Sequence, residues 1–140
     1  MVSSGQTYII TNKKAGTACD LSGQDQKSVI GFTAQRSDNQ KWRAQDTGNG
    51  WTLQNIYNQK YLDVEGPLQN GTKVVAVDTN NPRTWDIRPD RNDNSAYRVF
   101  IHDSNLNVDL SDRGNPTPGT PVTIWGEWEG ENQVWRFEQV

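Results

Sequence analysis

The sequence repeats itself three times in register. Tyr8, Trp51 and Tyr97 each stand twelve positions before an aspartate, at Asp20, Asp63 and Asp109, and an aliphatic residue follows each one: Leu21, Val64, Leu110. Each unit then carries a short apolar run, at 29–32, 74–77 and 122–125. Each closes on a tryptophan, Trp42, Trp85 or Trp135, that opens an alternating segment. The aspartates lie 43 and 46 residues apart. A unit this short cannot bury its apolar face alone, so three of them must share one core.

The runs are short and β-branched, and turn sequences such as Asp46-Thr47-Gly48-Asn49-Gly50 and Gln69-Asn70-Gly71 separate them. Each unit reads as about four strands, and no window sustains an apolar period of 3.6, so helix is nearly absent. Twelve strands about a pseudo-threefold axis make an all-β chain, and a β-trefoil meets the shared-core requirement. The chain reads as one domain over 1–140, with repeats at about 7–50, 51–95 and 96–140. A three-bladed propeller fits less well, because propellers typically have 4–8 blades.

Composition narrows the function. Lys and Arg total 14 against 17 for Asp and Glu, which argues against a basic nucleic-acid-binding face. Apolar residues are only 32%, yet charged ones are only 22%, so neutral polar residues fill the difference. The chain holds 14 Asn and 11 Gln, an amide-rich surface suited to a neutral, hydroxylated ligand. Six Trp exclude a disordered chain. The single cysteine, Cys19, allows no internal disulfide, and it reads as a small buried residue. No signal peptide is legible at the N-terminus, and no run approaches a membrane span of ~18 apolar residues. The expected location is therefore cytoplasmic, with unconventional export left open and no membrane insertion. In that setting the Asn70-Gly71-Thr72 sequon is inert.

Asn39-Gln40-Lys41-Trp42 and Asn132-Gln133-Val134-Trp135, with the leading Asp20-Leu21 and Asp109-Leu110, carry a resemblance. The pattern resembles the Q-x-W signature of the ricin B-type lectins, most closely the short single-domain fungal members. The resemblance implies a non-catalytic β-trefoil that binds galactose- or N-acetylgalactosamine-type glycans without cofactor or metal. In that family the aspartate takes the 3- and 4-hydroxyls, the glutamine steadies the aspartate, and the Q-x-W tryptophan is core. Carried over, repeat 1 offers Asp20, Phe32, Asn39 and Gln40, and repeat 3 offers Asp109, Trp125, Asn132 and Gln133. The aromatic residue precedes the asparagine by seven positions in both. The backbone N–H three residues after the aspartate adds Gly23 and Asp112; Gly23 fits the family better than Asp112 does. Phe32 is the smaller platform, and Trp128 stands where it can extend the repeat 3 site toward a second sugar.

Repeat 2 departs from the pattern: Val77 replaces the aromatic, and Pro82 and Arg83 replace Asn and Gln. Its site reads as dead, with Asp63 left to cap a turn. His102 is the only histidine, and its adjacency to Asp103 is no evidence for a Ser-His-Asp triad, which needs side chains that converge from separate segments. One Cys and one His cannot supply a structural zinc site. Glu127, Glu129 and Glu131 read as a solvated acidic loop rather than a glycosidase pair. The rival reading is a trefoil protease inhibitor acting through surface loops, which gives no reason for two Asn-Gln-x-Trp motifs. Assembly as a monomer or a homodimer stays open.

Overall fold

The computed structural model describes residues Met1–Val140. Repeat 1 contributes β1 (Gln6–Asn12), β2 (Ala18–Leu21), β3 (Val29–Phe32) and β4 (Lys41–Asp46). Repeat 2 contributes β5 (Trp51–Asn55), β6 (Tyr61–Glu65), β7 (Lys73–Val77) and β8 (Trp85–Pro89). Repeat 3 contributes β9 (Tyr97–Ile101), β10 (Leu106–Leu110), β11 (Thr120–Gly126) and β12 (Trp135–Gln139). Helix is confined to 3-10 turns at Asp38–Gln40 and Glu131–Gln133 and a four-residue turn at Ser111–Gly114.

Six strands close on themselves. β1 pairs with β4 and β12, β5 with β4 and β8, and β9 with β8 and β12, all antiparallel. Closure removes every free edge from this barrel. The other six strands form three hairpins, β2–β3, β6–β7 and β10–β11. The hairpins meet one another: Thr120 of β11 pairs with Gly31 of β3, Thr123 with Lys73 of β7, and Ser28 bridges to Val75. This is the β-trefoil that the threefold repeat requires. The close approach explains Gly31, where a Cβ would meet Leu110 Cδ1 at 2.8 Å.

The core is built on the repeated tryptophans. Trp42 and Trp85 are 0% exposed and Trp135 is 1%. A buried indole needs an acceptor for its N–H. Each finds it at the carbonyl just before its own repeat's aspartate: Cys19 at 2.9 Å, Leu62 at 3.2 Å and Val108 at 3.1 Å. Each tryptophan thus fills the core and also ties down the strand that carries the aspartate. The register repeats too, with Asp20 opposite Ile30, Asp63 opposite Val75 and Asp109 opposite Thr123. Cys19 is buried, and burial pushes its thiol well above its ordinary pKa.

Candidate functional site

In repeat 1, Asp20 projects from β2 and is almost wholly buried. Gln40, on the 3-10 turn before β4, donates from Nε2 to Asp20 Oδ2 at 2.8 Å and to the Thr33 carbonyl at 2.9 Å. Its Oε1 accepts the Gln35 backbone N–H at 2.8 Å, which fixes the amide in one orientation. Asn39 donates to the Leu21 carbonyl at 3.1 Å. Asp20, Gly23, Phe32 and Asn39 line a single cleft of about 930 Å³. Gln40 is 0% exposed and stands behind the carboxylate, so it acts on the site only through Asp20.

Repeat 3 reproduces this geometry. Gln133 Nε2 donates to Asp109 Oδ2 at 2.9 Å and to the Gly126 carbonyl at 3.1 Å, and its Oε1 accepts the Trp128 backbone N–H at 3.1 Å. Asn132 donates to the Leu110 carbonyl at 3.1 Å. Asp109, Asp112, Trp125 and Asn132 line a cavity of about 420 Å³, together with Trp128 and Thr123. Trp125 is 44% exposed and Trp128 46%, an unusual openness for two indoles of a small chain. Asp112 and Arg113 adopt left-handed backbone, at φ 53° and 54°. Such conformations are costly for non-glycine residues and cluster at functional sites.

Burial pushes the carboxyls of Asp20 and Asp109 above the usual range, against the opposing effect of the hydrogen bonds from Gln40 and Gln133. Asn132 Oδ1 and Thr123 Oγ1 are buried with no hydrogen-bond partner, although both residues line the repeat 3 cavity. Leaving a buried acceptor unpaired costs about 1–3 kcal/mol, a local cost that the fold carries beside this cavity.

Repeat 2 is different. Arg83 Nε donates to Asp63 Oδ1 at 2.6 Å, and the Val64 N–H donates to the same oxygen at 2.7 Å. Asp63 therefore lies within β6 as half of an ion pair, a correction to the turn-capping role expected from the sequence. The adjoining cavity of about 350 Å³ has no Trp, Tyr or Phe in its lining.

Several contributors escape sequence reasoning. Asn12, at the end of β1, donates to the Asn132 carbonyl at 2.9 Å, and Asn55, at the end of β5, donates to the Asn39 carbonyl at 3.0 Å. Each site is thus braced by the first strand of another repeat. The third equivalent is Ile101, which lines the cavity of the degenerate repeat 2. The signal was available, since both asparagines stand four residues after the repeat's leading aromatic. Arg98 gave no signal, because Ile9 and Thr52 occupy the matching positions. Its buried guanidinium donates to Asp90 Oδ1 at 2.9 Å and to Gln133 Oε1 at 3.0 Å. Burial pushes the Asp90 carboxyl up, but the hydrogen bond from Arg98 and its charge help hold it below the usual range.

Asp86, His102 and Asp103 place three possible metal-ligand atoms within 4.8 Å of one another. These groups already satisfy each other: His102 Nδ1 lies 2.7 Å from Asp86 Oδ1, and Asp86 Oδ2 accepts from Arg88 at 3.0 Å. The acidic loop is partly neutralised, since Glu127 meets Arg91 at 3.4 Å and Glu131 meets Lys13 at 2.9 Å.

A family model described as the ricin-type β-trefoil lectin domain-like family matches residues 2–77 and 38–125. Among solved structures, the chain is similar to a Macrolepiota procera ricin B-like lectin in complex with lactose. Identity is 47%, with a TM-score of 0.96, over 100% of this chain and 99% of that one. The Rhizoctonia solani agglutinin is 28% identical over 100% of this chain and 99% of that one, with a TM-score of 0.88. The designed threefold-symmetric protein ThreeFoil is 25% identical over 96% of this chain and 99% of that one, with a TM-score of 0.87. No curated protein matches the chain by sequence.

Proposed function

This chain belongs to the ricin-type β-trefoil lectin family, and from that premise we propose that it binds galactose- and N-acetylgalactosamine-ended glycans at two sites, in repeats 1 and 3. The observation that carries this reading is the pairing of a buried aspartate with a fully buried glutamine in those two repeats alone. The glutamine holds one carboxylate oxygen and leaves the other free. An ionised carboxylate so fixed accepts from two neighbouring hydroxyls at about 1.5–3 kcal/mol each at best. Phe32 or Trp125 then covers the C–H face of the ring. The likeness to a lectin bound to lactose supports a galactoside as the ligand.

Each shallow site reaches about millimolar to tens of micromolar affinity, roughly −4 to −6 kcal/mol. Avidity on a cell surface then comes from multivalency. Repeats 1 and 3 face different directions around the axis, so one chain cross-links without a partner subunit. Such cross-linking suits a defensive agglutinin aimed at the glycans of another organism. The chemistry is binding alone, with no reaction catalysed. Titration calorimetry with methyl β-galactoside, against methyl α-mannoside as control, tests the reading: binding of the first and not the second is expected, and indifference to both removes it.

A further inference from the structure

Loop position 35 in repeat 1 and position 128 in repeat 3 are structural equivalents. Each lies three residues after its platform aromatic, Phe32 or Trp125. Each has its backbone N–H bound to the Oε1 of the site's own glutamine, Gln35 to Gln40 at 2.8 Å and Trp128 to Gln133 at 3.1 Å. Each side chain lines the cavity that holds the aspartate. The position is therefore a built part of both sites, tied to the group that steadies the carboxylate. Its side chains differ sharply: an amide in repeat 1, an indole in repeat 3.

Trp128 is held open. Its ring lies over Gly130, where any Cβ would fall inside the indole, so the glycine is what lets the ring occupy this place. The ring nevertheless stays 46% exposed. It also divides two cavities, the one containing Asp109 and Trp125 and a smaller one of about 210 Å³ lined by Asp90, Arg91, Asn92 and Glu127. A single pyranose set on Asp109 needs only one aromatic face, and Trp125 supplies it from β11. The second indole, further along the loop, serves whatever is attached to that pyranose.

Resting on the proposed galactoside reading, we propose that Trp128 is a second platform that makes repeat 3 a site for a disaccharide or longer chain, whereas Gln35 leaves repeat 1 a site for the terminal sugar alone. The second sugar lays its C–H face on Trp128 and turns its hydroxyls to Asn92, Arg91 and Glu127. The two sites of one chain then differ in the length of glycan they read, not in the terminal sugar.

The test uses full-length variants with one site each: Asp20→Ala, which leaves repeat 3, and Asp109→Ala, which leaves repeat 1. Calorimetry gives the Kd of methyl β-galactoside and of lactose, and the ratio of the two is the readout. Repeat 3 is expected to favour lactose about fivefold, equivalent to about 1 kcal/mol, and repeat 1 by less than twofold. Trp128→Gln in the Asp20→Ala chain is expected to bring the ratio to about one, and Gln35→Trp in the Asp109→Ala chain to raise it. A loop role for Trp128 without sugar contact lowers both affinities together and leaves the ratio intact, which overturns the proposal. Equal Kd values for the two ligands at repeat 3 also overturn it, while leaving the galactoside reading in place. Failure of methyl β-galactoside to bind either single-site chain removes both.

Discussion

Arg83 Nε lies 2.6 Å from Asp63 Oδ1, in the place where repeats 1 and 3 put a neutral glutamine amide against the aspartate. The exchange changes what the carboxylate can do. Gln40 and Gln133 orient a charge and leave it available, whereas Arg83 cancels it. The same strand, register and tryptophan tether serve all three aspartates, so repeat 2 differs in the partner of its aspartate and in its missing aromatic face, not in the scaffold. Asp63→Ala should therefore leave galactoside stoichiometry and affinity unchanged by calorimetry. Arg83→Gln alone should not create a third site, because Val77 still lacks an aromatic face.

Removing Arg98 separates the buried network from the site it supports. Arg98→Met leaves Asp90 as a buried carboxylate without its charged partner, held by the Asn92 backbone N–H, and should cost about 3–5 kcal/mol in urea unfolding. The pair Arg98→Met with Asp90→Leu should recover most of that loss. Both chains should bind galactoside less tightly at repeat 3, since Gln133 Oε1 has lost its charged donor. Repeat 1, whose Gln40 has no arginine behind it, should be unaffected.

The asparagine braces cross repeat boundaries, and their loss should do so as well. Asn55→Ala, a change in repeat 2, should weaken the repeat 1 site by freeing the Asn39 carbonyl. Asn12→Ala, a change in repeat 1, should weaken the repeat 3 site through Asn132. Each should also cost about 1–3 kcal/mol of stability for the carbonyl left unpaired. Calorimetry on chains with one site each checks that the affinity losses fall on these sites and not on the repeats that carry the substitutions.

Acidification should abolish binding before it unfolds the chain. Burial raises the folded pKa of Asp20 and Asp109, so they take up protons above the ordinary carboxylate value of about 3.9. The charge that accepts the hydroxyls is lost there, while protonation relieves a buried charge and favours the folded state. Asp86 and Asp93 behave oppositely. At Asp86 burial acts upward, but hydrogen bonds from His102 and the Asp103 backbone outweigh it; Ser95 and Lys13 hold Asp93 down. Their stabilisation is present above the ordinary value and is lost only as pH falls through their depressed folded values. Parallel titrations of galactoside binding and near-ultraviolet circular dichroism should show binding lost at a higher pH than the fold, with a folded, non-binding chain between the two transitions. Simultaneous loss of both signals would show that the site carboxylates are not raised.

Much of this arrangement is legible in the sequence because repetition turns single residues into patterns. Trp42, Trp85 and Trp135 recur whatever the state of the site beside them, which marks them as core, and they are buried. Asp20 and Asp109 keep their Asn-Gln partners at matching positions, and the structure brings the glutamines to the carboxylates and the asparagines to the carbonyls just after them. Asn12 and Asn55 recur four residues after the leading aromatic and are legible in principle, whereas Arg98 has no repeat to reveal it. Arg98 is unique to repeat 3 and reaches Gln133 from 35 residues away, and Arg83 meets Asp63 across 20. The Arg98 pairing leaves no periodic trace, and the Arg83 pairing shows only as a substitution at the glutamine position, which does not announce an ion pair.

Agglutination reads the geometry at the scale of the whole chain. For a monomer with two sites, either Asp20→Ala or Asp109→Ala should abolish haemagglutination while sugar binding persists at the other site. A homodimer would keep two sites in each single variant and agglutinate at higher concentration, a result that analytical ultracentrifugation of the same samples checks.

The most direct measurement is the calorimetric stoichiometry of methyl β-galactoside across four chains. The native chain should bind two equivalents, Asp20→Ala and Asp109→Ala one each, and the double variant none, with near-ultraviolet spectra showing all four folded. A folded double variant that still binds the galactoside, or a native stoichiometry of three, would contradict the assignment of competence to the two repeats in which glutamine, not arginine, holds the aspartate.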